Sequence, residues 1–153
     1  MKGSIVIDTS LLVLLAAGTV SRAHVGKHKR LRDYTEEDFD FLLQLISDCQ
    51  ILVTPNTLTE ASNLASQIGD PDCARIREAL RGIVNVAEER YVPSRTAVAR
   101  KEFLWLGLTD ASLLGLPDGD VTLLTADSGL HREALANGRR SINFNHIRDQ
   151  YYS

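Results

Sequence analysis

Four acidic residues stand where apolar runs give way to helical ones. Asp8 directly follows the run 4–7, and Glu60 lies about one and a half turns into a helical stretch that follows 51–53. Asp110 comes two residues after Leu108, and Asp127 two residues after Thr125, which ends the run 121–125. If those runs are neighbouring parallel strands, all four carboxylates project toward one edge of a sheet, where ligands of open α/β folds bind. Four acids together repel one another and raise their own pKa values unless a cation resolves the charge. Hard divalent ions with oxygen ligands, Mg²⁺ or Mn²⁺, suit such a set. A carboxylate-held ion of this kind activates water and stabilises charge in an in-line phosphoryl displacement. Taken singly, each Asp has a plainer use as a helix cap, and Glu60 as a solvated helix residue. The joint arrangement carries the metal-site expectation.

The elements that must position these acids are legible from apolar periodicity. The run 4–7 predicts a strand, followed by a helix over 11–17 capped by Thr9 or Ser10 and stopped at Gly18. Residues 21–33 have no apolar period and are expected to form a loop. Thr35 and Asp38 make a capping pattern before the helical face of Phe39, Leu42, Leu43, Leu45 and Ile46. A strand at 51–53 leads through Pro55 into the helix bearing Glu60. The segment 72–90 is expected to be helical, with Ile76, Leu80, Ile83, Val84 and Ala87 on one side. Another helix is expected from Pro93 through Trp105, and one over 110–116 capped by Thr109. A turn at 117–120, a strand at 121–125, a helix at 128–137 and a strand at 141–144 complete the chain. Alternating strands and helices, with runs apolar on both faces, predict a single α/β domain over 1–153, a three-layer α/β/α sandwich around a mostly parallel sheet.

Four segments carry a resemblance as well as a chemistry. SIVIDTSLL (4–12), TPNTLTEASNL (54–64), LGLTDASLL (106–114) and VTLLTADSGL (121–130) resemble, in order and approximate spacing, the signature blocks of the PIN-domain nucleases. The resemblance spans nearly the whole chain. It implies a Mg²⁺- or Mn²⁺-dependent endonuclease acting mainly on single-stranded RNA and leaving a 3′-hydroxyl and a 5′-phosphate. Matched residue by residue, Asp8, Asp110 and Asp127 fall on metal-holding acids, and Glu60 on a glutamate that is either a ligand or orients the attacking water. Ser10 and Thr125 fall where the family places small hydroxyl residues that help position ligands or water. Many small chains of this kind are toxins held by an antitoxin protein, and many form homodimers. An RNA-processing nuclease that is not a toxin, and a catalytically silent RNA-binding or assembly module, remain alternatives. A phosphatase with an acid pair two residues apart after the first strand fits poorly, because Ser10 occupies the second position. A receiver domain would need a late lysine, and none follows Lys101.

Charge adds a candidate substrate surface. The 153 residues hold 17 Lys and Arg against 20 Asp and Glu, a net charge of −3, so no general basic coat is present. The distribution is uneven, however. Arg22, Lys27, Lys29, Arg30 and Arg32 fall within eleven residues with no acid among them, whereas 33–74 contains nine acids and no Lys or Arg. The basic run either contacts RNA phosphates beside the cleft or pairs with the acids at Glu36, Glu37, Asp38 and Asp40. His24 and His28 within it are read as loop residues, and Trp105, Phe103 and Leu104 as core or a dimer contact. Arg95, Arg100 and Lys101 are a second possible contact surface, read as ordinary helix solubilisation. Cys49 and Cys73 have neither CxxC spacing nor a nearby histidine pair, so no zinc site is expected and two buried thiols in a reducing cytoplasm are the reading. The apolar stretch 11–17 is too short to span a bilayer, and Asp8 interrupts a would-be signal sequence. A cytoplasmic protein with no membrane association is the expectation.

Overall fold

The computed structural model describes residues 3–117 and 119–152; Met1 and Lys2 of the basic start, Asp118 of the expected turn and the terminal Ser153 lie outside them. Five strands form one sheet: β1 (Gly3–Ile7), β2 (Cys49–Val53), β3 (Glu88–Glu89), β4 (Val121–Thr125) and β5 (Arg140–Asn143), in the order β3-β2-β1-β4-β5. Every pairing is parallel. The chain therefore builds outward from β1 on one side, returns, and builds outward from β1 on the other. The crevice between β1 and β4 at their carboxyl ends is a topological switch point, where open parallel sheets bind ligands.

The strands are apolar on both faces because helices cover both. Ile5 and Ile7 of β1, Val53 of β2 and Leu124 of β4 share one core cluster with α1 (Thr9–Val20), α2 (Glu36–Ile46), α3 (Pro55–Ala65) and α4 (Asp72–Val86). Their sequence neighbours Val6, Leu52 and Leu123 turn to the opposite face. There they meet Leu113 and Leu114 of α7 (Leu108–Leu114) and Leu130 and Ala134 of α8 (Ser128–Ala136). This is the expected three-layer α/β/α sandwich, with α1 so deeply enclosed that Leu11–Gly18 are all buried. No helix among the described residues is long and apolar enough to cross a membrane.

Several elements depart from the sequence expectation, each for an identifiable reason. Gly18 does not stop α1, which runs to Val20. A Cβ at Gly18 would lie 2.2–2.6 Å from the Phe39 ring, so the glycine lets α2 pack closely on α1. Asp8 itself, rather than Thr9 or Ser10, caps α1. The loop expected at 21–33 is partly ordered into single 3₁₀ turns at Arg22–His24 and Lys29–Leu31, with His24, Val25 and Leu31 buried. The expected helix 72–90 ends at Val86, and Glu88–Glu89 instead extend the sheet beside β2. Val84, assigned to its buried side, is exposed.

The single helix expected from Pro93 divides into α5 (Ser94–Val98) and α6 (Phe103–Leu106), separated by turns around the buried Glu102. Gly107, at φ +87°, then separates α6 from α7, which starts at Leu108 with no side-chain cap; Thr109 lies inside it. Leu104 and Trp105, read as core or a dimer contact, are 82% and 56% exposed, so they are not core. Beyond β5 the chain forms a ninth described helix, α9 (Phe144–Tyr152), which contributes Phe144 to the core and one wall of the cleft.

Candidate active site

Register brings the first and fourth acids together. β1 and β4 pair with Ile7 opposite Leu124, and the Asp8 amide donates to the Leu124 carbonyl at 3.0 Å, so Asp8 emerges beside Thr125. The Thr125 hydroxyl, fully buried, donates to Asp8 Oδ2 at 2.6 Å and accepts from the Asp127 amide at 3.0 Å. Asp8 Oδ1 accepts from the Thr9 amide at 2.7 Å, capping α1. Asp127 Oδ1 accepts from the Leu130 amide at 3.0 Å, capping α8, which leaves its second oxygen outside the cap. Both residues thus serve as caps and as cleft acids. Glu60 reaches the cleft from the middle of α3, whose start is fixed by Pro55 and a reciprocal Thr54–Thr57 capping box. Asp110 reaches it from the first turn of α7.

These four acids line a single cleft of about 740 Å³ together with Thr9, Ser10, Arg30, Asp33, Tyr34, Leu64, Ala126, Asn145 and Arg148. Asp8 is 8% exposed, and burial raises its pKa against the opposing bonds from Thr125 and Thr9. Burial also raises Asp110, with Asp8, Asp127 and Glu60 adding like-charge repulsion, and together they push it up to about 7. Among the described residues, no three of the acids gather their oxygens within 4.8 Å of one another. Ser10 is engaged by a hydrogen bond with Tyr34, whose phenol burial pushes above its ordinary range.

The donor set fits a hard divalent cation. Its chemistry is oxygen throughout, burial and like-charge repulsion hold the Asp8 and Asp110 carboxyls above their ordinary range, and two further oxygens lack partners. Thr9 Oγ1 and Asn145 Oδ1 are buried, line the cleft and accept or donate no hydrogen bond within the protein. Buried polar atoms are normally satisfied, so an orphaned pair beside four carboxylates points to an external ligand or its waters. Asp8, Asp110 and Asp127, with Glu60 on the facing helix, are the residues that would hold such an ion.

The basic run separates into unlike parts. Arg22 is held by Asp40, at 3.0 and 2.7 Å, and more loosely by Glu36, at 3.8 Å. Arg30 bonds Gln67 at 2.8 Å and lines the cleft. Lys27, Lys29 and Arg32 are exposed and do not contribute to the cleft lining. Arg100 is occupied by Asn137 at 2.8 Å and by Glu102 at 3.5 Å.

Sequence reasoning missed Thr9, Tyr34, Asn145 and Arg148. The last two were missed with α9 itself, although Asn143 caps that helix by accepting from the Asn145 amide at 3.0 Å. An Asn two residues before an Asn, at the end of an apolar run, was the available signal. Arg148 is anchored by Asp38 at 2.8 Å and the Asp33 carbonyl at 2.9 Å, and stacks over Tyr34 with 5.2 Å to the ring centroid, so its charge is largely committed. Compared with known proteins, the chain matches no family model and no curated protein.

Proposed function

We propose that this protein is a metal-dependent endoribonuclease of the PIN type, with Mg²⁺ or Mn²⁺ as its cofactor. The observation that supports the reading best is the convergence of Asp8, Glu60, Asp110 and Asp127, from four separate elements, on one cleft at the switch point of a parallel sheet. When bound, the cation supplies an activated water and charge stabilisation for an in-line attack on a phosphodiester.

The chain's own residues do the rest. Asp8, held rigid by Thr125 and Thr9, and Asp110 present the principal ligand oxygens, and Asp127 completes the set directly or through water. Glu60 ligates or orients the attacking water. Arg30 at the rim offers a cation to a substrate phosphate, and Lys27, Lys29 and Arg32 extend that surface along the segment. Aromatic residues are 6% of the chain, so recognition rests on phosphates, shape and polar contacts more than on stacking. A nuclease of this size in a cytoplasm needs restraint, and an antitoxin-like protein covering the cleft, or a second copy of the chain, would provide it.

Mn²⁺ titration calorimetry tests the reading against a silent scaffold. Wild type is expected to bind Mn²⁺ with release of protons, and Asp8→Asn and Asp110→Asn to bind it at least roughly tenfold more weakly. A wild-type protein with no Mn²⁺ binding would leave only the scaffold.

A further inference from the structure

Away from the acids, the basic segment and α4 meet at a second cluster. His24 ends the first 3₁₀ turn, His28 immediately precedes the second, and Asp72 opens α4. Gly26, at φ +81° and with Tyr34 O 3.2 Å from where a Cβ would stand, lets the chain reverse between the two histidines. The imidazoles stand edge to face with centroids 5.1 Å apart. One nitrogen from each ring and one Asp72 oxygen all lie within 4.8 Å of one another. The fold engages these groups only loosely: Asp72 Oδ1 is 3.7 Å from His24 Nε2 and 4.0 Å from Arg75 Nη1, beyond hydrogen-bond range, and both His24 Nδ1 and His28 Nε2 are buried without a partner. Buried polar atoms are normally partnered, so two orphaned ring nitrogens in one cluster of potential ligands point to an occupant.

We propose that His24, His28 and Asp72 bind a zinc-class divalent cation that fastens the basic segment 22–32 to the start of α4. Two imidazoles and a carboxylate are a borderline-soft donor set, unlike the all-oxygen cleft, and select Zn²⁺ over Mg²⁺ or Mn²⁺. A tetrahedral zinc ion holds its ligand atoms roughly 3.3 Å apart, so small side-chain rotations close the present arrangement, and water takes the fourth position. Arg30 lies two residues beyond His28 and lines the acid cleft. The ion therefore fixes the strap that presents Arg30, and is distinct from any ion held by the acids.

Cobalt reports such a site by visible absorption, which all-oxygen six-coordinate sites show only faintly. Co²⁺ is titrated into the full chain, and Zn²⁺ is then added to compete. Wild type and Asp110→Asn are expected to give the intense bands of a low-coordinate ion, saturating at about one equivalent and abolished by Zn²⁺. His28→Gln and Asp72→Asn, shown folded by circular dichroism, are expected to bind roughly tenfold or more weakly. Asp72 is half-buried at the chain's surface, so its variant tests the site even if the histidine variant fails to fold. Absent bands in wild type, equal bands in folded His28→Gln or Asp72→Asn, or bands lost in Asp110→Asn would overturn the proposal.

Discussion

Because the Thr125 hydroxyl donates to Asp8 and accepts from the Asp127 amide, one buried side chain sets the position of two acids. Thr125→Val keeps the shape and removes both bonds, leaving an amide unsatisfied and a buried carboxylate short of a donor. It should lower stability by about 1–3 kcal/mol in urea unfolding. Asp110 behaves oppositely in the metal-free protein. Its folded-state pKa stands at about 7 against an ordinary 3.8, so the folded chain binds the extra proton and stability falls as pH rises between those values. Asp110→Asn removes that penalty: its melting temperature should exceed wild type's at pH 8 and match it near pH 4. Saturating Mn²⁺ should reverse the order at pH 8, since only the carboxylate binds the ion well. Asp8 and Asp127 were legible in the sequence because each closely follows a strongly apolar run, and Glu60 and Asp110 because they sit early in the helical stretches that come after such runs. Thr9 and Asn145 were not, because an orphaned oxygen becomes visible only when its surroundings are known.

At the scale of elements, the strands and the deeply buried helix were read from apolar runs, which survive any tertiary context. What escaped were elements stabilised by partners distant in sequence. The two-residue strand β3 exists because β2 offers it an edge. Helix α9 is mostly polar and is held by Phe144 in the core and by Arg148 and Tyr152 bonded to Asp38 of α2. Gly18 was misread for the same reason: an isolated glycine looks like a stop signal until the Phe39 ring above it is seen. Gly18→Ala should therefore destabilise the fold, by about 1–3 kcal/mol through overpacking, even though alanine favours helices. Calorimetric melting checks the sign. A stabilised variant would mean that α1 and α2 separate more readily than their packing implies.

For the whole molecule, net charge was a poor guide because unlike charges occupy unlike places. Four acids face one cleft, while Arg30 stands at its rim and Lys27, Lys29 and Arg32 lie exposed along the adjoining segment. Exposed cations that neutralise phosphates make binding salt-dependent. Replacing Lys27, Lys29 and Arg32 together by alanine should weaken single-stranded RNA binding and flatten its log–log salt dependence by about two. Fluorescence anisotropy across a salt series reads both; an unchanged slope would place the RNA elsewhere. The fold's contribution is to deliver acids from β1, α3, α7 and β4 to one switch point, and the proposed chemistry depends on that delivery. Cleavage of a 5′-labelled single-stranded RNA with Mn²⁺ is the most direct measurement. Wild type should yield products with 3′-hydroxyl and 5′-phosphate ends, abolished by EDTA and by Asp8→Asn in a variant that remains folded. Undiminished cleavage by Asp8→Asn, or cleavage that persists in EDTA, would contradict the account.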